Sequence, residues 1–249
     1  KHFGAAYDIH VSGTDEIFPH CENVLAIHKA FSGHNGPNYW LNTELVMVDG
    51  RKMSRSLNND LSLSQLRQNG YSGHDVRYFL LGVHYRKPLN YSEGALQTAR
   101  NTIKKLRTFV HRLNAVESDV KNGFSETDQL IYNLKNNFTA ALDDDLNIAG
   151  ALAALFNFIG KINAPLANGL IHKNDAQKIL AALRNVNDVL GIMDFDVKVS
   201  QEKINELIRK RNAARHARNW EEADACRAQL AELGVDVLDT PQGVIWQFR

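Results

Sequence analysis

The first sixty residues alternate between stretches typical of strands and stretches typical of helices. YDIHVSG, residues 7–13, has the apolar and β-branched content of a strand and ends at a glycine turn. A helix is then predicted from near Pro19 to Gly33, and NYWLNTELVMV, residues 38–48, predicts a second, buried strand. This order favours a mostly parallel sheet, in which ligands bind at the carboxyl ends of the strands.

The pattern changes after the first sixty residues, because apolar residues then recur three and four positions apart, as in amphipathic helices. We therefore predict an α/β region followed by a mostly α-helical bundle and a small C-terminal unit of two helices and a strand-like tail. The best internal breaks in the helical part are residues 165–173 and 194–200.

The composition favours a soluble globular protein with more than one core, since the chain has 249 residues, of which 44% are hydrophobic and 23% charged. Its two cysteines, Cys21 and Cys226, lie far apart and give no disulfide framework, which fits a reducing cytoplasm. No stretch approaches the roughly 18 apolar residues of a spanning helix, so no membrane partner is expected. The chain begins at Lys1 rather than at Met, and we expect a further segment upstream.

The stretch KMSRS concentrates charge and hydroxyl groups directly after an apolar run and an Asp-Gly turn. It contains two cations, Lys52 and Arg55, and two hydroxyls, Ser54 and Ser56. Its position at the end of a predicted strand favours phosphate binding. The alternative is an ordinary basic turn in contact with solvent.

Five segments, taken in order, resemble the cysteinyl-tRNA synthetase family: DIHVSGTDEIFPHCEN, NYWLNTELVMVDGRKMSRSLNN, GHDVRYFLLGVHYRKPLNYSE, ALDDDLNIAGALAALF and RNWEEADACRAQLAELGVDVLDTPQGVIW. Each motif alone is weak, whereas five in the family's order and near its spacing are specific. The resemblance covers essentially the whole chain, from the middle of the catalytic domain to the C-terminal end of the family.

The resemblance implies a class I aminoacyl-tRNA synthetase. Residues 1–60 would be the C-terminal part of its Rossmann-like nucleotide-binding domain, and 61–95 a stem-contact region. Residues 96–198 would be the helical bundle, and 199–249 a small α/β unit similar to an anticodon-binding domain. The implied activity is ATP-dependent activation of cysteine and its transfer to tRNA.

The resemblance assigns the KMSRS stretch to ATP, bound together with Mg²⁺. Lys52 and Arg55 would stabilise charge as pyrophosphate leaves, and Ser54 and Ser56 would bind phosphate oxygens. The family's motif is Lys-Met-Ser-Lys-Ser, so Arg55 stands where a second lysine is usual. Arginine keeps the charge and adds a planar fork of donors.

A second ATP contact is implied for the turn after the first strand, where the family has consecutive glycines and an aspartate. Gly13 and Asp15 match that pattern and would contact the adenosine moiety of ATP. Val11 and Ser12 depart from it, and their side chains would crowd a ligand that needs close approach to the backbone. The alternative for Asp15 is a role in capping the following helix.

The resemblance also implies a zinc ion that coordinates the substrate thiolate, and here the match is poorest. The family's motif Phe-Pro-His-His-Glu-Asn-Glu supplies two ligands four residues apart. This chain keeps His20 but has Val24, which cannot ligate a metal, and it has Cys21 beside the histidine. Zinc is therefore doubtful: His20 is the metal candidate, and a structural histidine is the alternative.

Basic residues cluster near the C terminus, although the net charge of the chain is only +1. Residues 201–218 carry six Lys or Arg against two Glu, which fits contacts to a phosphate backbone as well as a solvated helix face. With the resemblance, the tRNA-binding candidates are Arg209, Lys210, Arg211, Arg215, Arg218 and, as a ring able to stack on a base, Trp246.

Two functions remain open from the sequence. The first is part of a cysteine-tRNA ligase, with the phosphate-binding loop and the tRNA-binding domains in this chain. The second is a synthetase-like paralogue with a degenerate, zinc-free pocket, which binds tRNA or nucleotide or uses another small amino acid.

Overall fold

A computed structural model describes residues 6–117, 124–195, 201–240 and 243–248. Within these ranges, the helices are α1 (Glu22–Ser32), α2 (Leu63–Gln68), α3 (Gly73–Leu81), α4 (Glu93–Asn114), α5 (Thr127–Asp143), α6 (Ile148–Ala167), α7 (Lys173–Leu190), α8 (Gln201–His216) and α9 (Trp220–Glu232). The strands are β1 (Tyr7–Gly13), β2 (Pro37–Thr43), β3 (Val46–Val48), β4 (Arg51–Lys52), β5 (Leu89–Tyr91), β6 (Val235–Thr240) and β7 (Gly243–Phe248). The α/β region followed by helices confirms the predicted fold class.

The chain divides into two units, the first made of residues 1–71 and 79–96 and the second of residues 72–78 and 97–249. The first unit contains two small sheets. In one, β1 pairs with β2 in parallel, and in the other the strand order is β4-β3-β5, with β3 parallel to β5 and antiparallel to β4. The predicted four-part division stays a prediction.

The single strand predicted for residues 38–48 is wrong, because the structure splits it into β2 and β3, which belong to different sheets. The split occurs at Glu44 and Leu45. The Glu44 amide donates to the Tyr85 carbonyl at 2.8 Å, and the Leu89 amide donates to the Leu45 carbonyl at 3.1 Å. A segment forty residues away in sequence therefore redirects the backbone hydrogen bonds of the strand.

The helix after β1 ends where the sequence predicts. Gly33 has φ of +75°, and its amide donates to the Lys29 carbonyl at 2.9 Å, which closes the last turn of α1. Its start is less regular, since Phe18, in the segment Ile17–Cys21 before α1, has extended backbone angles, with φ of −129° and ψ of 132°. This segment brings Cys21 beside the carboxyl end of β1.

The second unit is built around α6. Eight of its side chains are buried, among them Leu155 and Ile162, which are fully inaccessible, and α5 packs against it. By length and composition, α6 is the one helix in the described ranges that is apolar enough to cross a membrane. Its burial inside this unit is that of the core helix of a helical bundle.

The C-terminal part of the second unit consists of α8, α9 and the antiparallel hairpin of β6 and β7. It has a small core of its own, formed by Ile204, Leu207, Leu230, Val235 and Val237. This confirms the predicted pair of helices with a strand-like tail, and the tail is a complete β-hairpin.

Candidate nucleotide and tRNA site

A two-residue hairpin carries Lys52. The strands β3 and β4 pair antiparallel, with Met47 opposite Lys52, and the turn between them is Asp49-Gly50. Both turn residues have positive φ, 47° and 78°, as a type I′ turn requires, and Asp-Gly is a preferred sequence for that turn. Lys52 therefore extends from the short strand β4.

The chain after Lys52 is held by one amide side chain, Asn59. Its Oδ1 accepts a hydrogen bond from the Ser54 amide at 2.8 Å, and its Nδ2 donates to the Lys52 carbonyl at 3.0 Å. The Met53 amide adds a bond to the Val46 carbonyl at 3.0 Å. Asn59 is not among the residues that the sequence predicts for the site. In the sequence, the one indication of this role is that Asn59 is an amide side chain shortly after the KMSRS stretch.

The structure joins the two predicted ATP-contact regions through an ion pair. Lys52 Nζ lies 2.8 Å from Asp15 Oδ2, and about half of each side chain is exposed. The hydrogen bond from Lys52 lowers the pKa of the Asp15 carboxyl below its usual range. An ion pair this exposed adds little stability, so a ligand can replace it at small cost.

Gly13 fits the turn because a side chain there would collide with this aspartate. A Cβ built on Gly13 would lie 2.6 Å from Asp15 Oδ1. The glycine is thus needed for the position that Asp15 takes when it pairs with Lys52.

The remaining KMSRS residues follow Lys52 along the chain. Arg55 begins a 3₁₀ turn, Arg55–Leu57, and its side chain is exposed. The Ser54 and Ser56 hydroxyls are 3.2 Å apart. Two exposed cations and a pair of hydroxyls form a surface suited to an anionic ligand.

One hydrogen-bonded group at the carboxyl ends of β1 and β2 contains Ser12 and Cys21, which both differ from the family's motifs, and Asn42. Asn42 Nδ2 donates to Ser12 Oγ at 2.8 Å, and Ser12 Oγ lies 3.1 Å from Cys21 Sγ. Ser12 and Cys21 are 8% and 7% exposed. Ser12 thus uses its extra atoms to connect β2 with the turn before α1, a contact that glycine cannot make.

The residues near His20 do not fit a zinc ion. His20 itself is exposed, Val24 offers no donor atom, and Cys21 is turned toward Ser12. In the part of the chain that the structure describes, no group of three or more His, Cys, Asp or Glu side chains could hold a metal ion. The described residues therefore give no support to His20 as a metal ligand.

Arg211, a predicted tRNA contact, is buried and paired with a carboxylate, and the tRNA contact stays a prediction. Only 5% of its side chain is exposed, and it donates to both carboxylate oxygens of Asp239 at 2.9 and 2.7 Å. Arg215 contacts the same carboxylate. Hydrogen bonds from Arg211 and then Arg215 hold the pKa of Asp239 at about 2. This cluster ties α8 to the β6–β7 hairpin.

Arg209, Lys210 and Arg218 are exposed, as a surface that binds tRNA requires. Lys210 Nζ forms an ion pair with Glu206 at 2.6 Å, one turn earlier on α8. Arg218 follows the end of α8 with φ of +56°. With the accessible side of Arg215, these cations lie along the last turns of one helix and the residues after it.

Trp246 is half-buried in the C-terminal core instead of being free to stack on a base. It lies opposite Val237 in the hairpin and packs against the core cluster. Its ring is also 5.1 Å from the His111 ring, at an interplanar angle of 88°. Its main contribution in this structure is packing.

Comparisons with known proteins agree with this architecture. The family model of the tRNA synthetase class I (C) catalytic domain matches residues 1–101, the DALR domain 137–194, and the cysteinyl-tRNA ligase anticodon binding domain 200–246. Mycobacterium tuberculosis methionyl-tRNA synthetase bound by methionyl-adenylate superposes with a TM-score of 0.53 at 20% identity, over 74% of this chain and 40% of that one. The chain is thus built as a class I aminoacyl-tRNA synthetase.

Closer relatives narrow the class to one family. The chain is 38% identical to the cysteine-tRNA ligase of Chlamydia caviae and 40% identical to that of Chlamydia felis, over 96% of its own length in each case. It belongs to the cysteinyl-tRNA synthetase family. It spans about half the length of these relatives, 51% of each.

The Asn59 contacts predict how firmly the KMSRS stretch is held. Asn59→Ala removes two hydrogen bonds, worth about 1–2 kcal/mol together, and is expected to speed tryptic cleavage after Lys52 or Arg55 about 5- to 30-fold. Asn59→Asp keeps the acceptor and should give an intermediate rate. Asn38→Ala, at an exposed position of β2, is the control. Equal cleavage of Asn59→Ala and the parent chain would contradict this role.

The Asp239 cluster predicts a pH-dependent contribution to stability. Asp239→Asn leaves Arg211 buried with a weaker partner, and we expect a loss of about 1–2 kcal/mol in unfolding free energy at pH 7, allowing for the partial exposure of Asp239. The folded pKa of Asp239, about 2, lies below its ordinary 3.8, so the contribution is present above about pH 4 and is lost as the pH falls through 2.

Urea unfolding at several pH values measures the contribution of Asp239. Glu206→Gln, in the exposed ion pair with Lys210, is the matched control and should leave stability nearly unchanged. A cost for Asp239→Asn that stays constant between pH 7 and pH 2 would rule out the ion pair as its source.

Proposed function

We propose that this chain is part of an ATP-dependent cysteine-tRNA ligase. The observation that carries the proposal is the ion pair of Lys52 and Asp15, which joins the two ATP-contact regions expected of the family at 2.8 Å. Support comes from the match of residues 1–101 to the catalytic-domain model and from the relatives named cysteine-tRNA ligase. Because the chain spans half of those relatives, the whole activity is a proposal for the complete protein.

In the proposed reaction, the amino-acid carboxylate attacks the α-phosphate of ATP, and pyrophosphate leaves. Lys52 and Arg55 are the groups that stabilise the charge developing on the leaving oxygens, with Ser54 and Ser56 donating to phosphate oxygens. When ATP and its Mg²⁺ bind, Lys52 exchanges Asp15 for phosphate. The released Asp15 carboxylate then accepts from the ribose hydroxyls, close to the backbone of Gly13.

The substrate amino acid is proposed to be cysteine. The described residues supply no zinc set, so no step of this proposal depends on that metal. The hydrogen-bonded group of Ser12, Cys21 and Asn42 lies where parallel strands place ligand-binding groups. Use of another small amino acid is the competing outcome of the activity test.

Binding of tRNA is proposed for the exposed cations Arg209, Lys210, Arg215 and Arg218. All four cations lie within residues 200–246, which match the model of the cysteinyl-tRNA ligase anticodon binding domain, and this supports the role. Arg211 and Trp246 support this surface indirectly. Arg211 joins α8 to the hairpin through Asp239, and Trp246 packs the hairpin against the C-terminal core. We place the protein in the cytoplasm, where the other components of aminoacylation are found.

The direct test is ATP-pyrophosphate exchange with cysteine, on the full-length product of the gene. Lys52→Ala is expected to lower the exchange rate constant about 100-fold or more, because it removes a donor to the charge that develops in the transition state. ATP affinity should fall by less than about threefold. Lys29→Ala, an exposed cation on α1 in the same unit, is the control and should change neither quantity.

Two results would overturn the proposal. Absence of cysteine-dependent exchange while tRNA still binds would favour a tRNA-binding paralogue, and exchange with a different small amino acid would change the substrate. Equal losses of exchange rate and ATP affinity in Lys52→Ala would argue that Lys52 only binds ground-state ATP.

A further inference from the structure

The turn of the hairpin that carries Lys52 is held by a neighbouring strand. Asp49 and Gly50 form this turn and lie outside the paired positions of β3 and β4. The Asp49 amide donates to the Tyr91 carbonyl at 3.0 Å. The Gly50 amide donates to Asn90 Oδ1 at 2.8 Å. Both acceptors belong to β5, so this strand holds both amides of the turn.

Asn90 also lies in register with Lys52 across the sheet. Met47 on β3 is opposite Lys52 on one side and Asn90 on the other, and residues in register share a face of the sheet. The strand β4 has two residues and lies at the edge of the sheet, where it pairs with β3. Because a strand this short forms few backbone hydrogen bonds, the direction of Lys52 depends on how the turn beside it is held.

The strand β5, which carries Asn90, is anchored in its own unit. The Tyr91 hydroxyl donates to Glu93 Oε2 at 2.9 Å, and the Tyr71 hydroxyl donates to Oε1 of the same carboxylate. Tyr71 is 5% exposed, and the Phe79 and Tyr91 rings pack edge to face with their centroids 5.9 Å apart. Asn90 therefore reaches the turn from a fixed strand, as a side chain that positions another element must do.

We propose that Asn90 is a positioning residue for Lys52. By accepting from the Gly50 amide, it fixes the turn and thus the direction in which Lys52 extends to Asp15, 2.8 Å away. Asn90 acts through the turn rather than on ATP. The placement of Lys52 is a property of the chain itself, whereas its consequence for catalysis rests on the proposed function.

The role of Asn90 is separate from that of Asn59. Asn59 bonds to the Lys52 carbonyl and the Ser54 amide, so it holds the chain that follows the lysine. Asn90 holds the turn that precedes the lysine. The two amide side chains thus fix the hairpin arm of Lys52 from both ends.

The test of catalysis is cysteine-dependent ATP-pyrophosphate exchange by the full-length product of the gene. Asn90→Ala is expected to lower the maximal exchange rate about two- to tenfold, the factor of one ordinary hydrogen bond. The reason is that a free turn must be ordered again when Lys52 meets the developing charge. The KM for ATP should stay within about twofold. Asn90→Asp keeps the acceptor oxygen and should restore most of the lost rate.

Two further variants complete the comparison. Asn90→Leu has nearly the shape of asparagine but no acceptor, so it should match Asn90→Ala, and it takes the place of that variant if alanine impairs folding. Asn38→Ala, at an exposed strand position of β2, is the matched control and should change neither the exchange rate nor the KM for ATP.

A second measurement needs no ATP, tRNA or amino acid. In the 249-residue chain with lysines labelled with ¹³C and ¹⁵N, the NMR signal of the Lys52 side chain reports its pairing with Asp15. Asn90→Ala should shift this signal toward that of Lys29, an exposed lysine on α1, whereas Asn90→Asp and Asn38→Ala should leave it in place. A purely stabilising role for Asn90 would lower the unfolding temperature and leave the Lys52 signal of the folded chain unchanged.

Three results would overturn the proposal. They are an unchanged Lys52 signal in Asn90→Ala, a parent-like exchange rate for that variant in an active enzyme, and an Asn90→Asp variant as slow as Asn90→Ala. If the parent protein shows no cysteine-dependent exchange, the proposed function fails, and the Lys52 signal alone decides whether Asn90 positions Lys52.

Discussion

The parallel pairing of β1 with β2 is the constraint on which the first unit depends. It brings the carboxyl ends of both strands together, so Ser12 meets Asn42 and the turn that contains Gly13 and Asp15 follows at the same edge. From there Asp15 reaches Lys52 on the β3–β4 hairpin. The same pairing leaves Ile9, Val11 and Tyr39 exposed on one face of the sheet, opposite the face that carries Ser12.

Features set by short-range chemistry were predictable from the sequence. The end of α1 at Gly33 and the Asp49-Gly50 turn both follow from backbone conformations that only a few residue types adopt readily. The change from an α/β region to helices follows from hydrophobic periodicity. The family resemblance assigned both the KMSRS residues and the turn with Gly13 and Asp15 to ATP, and this assignment stays a prediction. The structure adds that Lys52 Nζ lies 2.8 Å from Asp15 Oδ2.

Features that depend on distant partners were not predictable in this way. The split of residues 38–48 into two strands depends on backbone groups at Tyr85 and Leu89. In the sequence, Arg211 is one of several clustered cations, as expected of a contact to phosphate. Its carboxylate partner, Asp239, is 28 residues further along the chain. Arg211 is buried and Arg215, which contacts the same carboxylate, is exposed, so only the fold reveals which of several neighbouring cations is inaccessible.

The departures from the family pattern acquire a physical meaning in the structure. Ser12 and Cys21 look like separate departures in the sequence, but with Asn42 they form a connected polar group, in which Ser12 and Cys21 are buried. A buried polar group of this kind fixes the relative positions of a strand and the turn before a helix. Side-chain hydrogen bonds thus connect β1, β2 and the turn before α1 at this edge of the sheet.

The central claim is that the Lys52–Asp15 pair is the ligand-free arrangement of an ATP site, in which both groups turn to ATP when it binds. NMR of the chain labelled with ¹³C and ¹⁵N in its lysines, titrated with ATP and Mg²⁺, tests this most directly. The account predicts that the Lys52 side-chain signal shifts in a saturable way and that the Lys29 signal does not. An unchanged Lys52 signal at saturating ATP would contradict it.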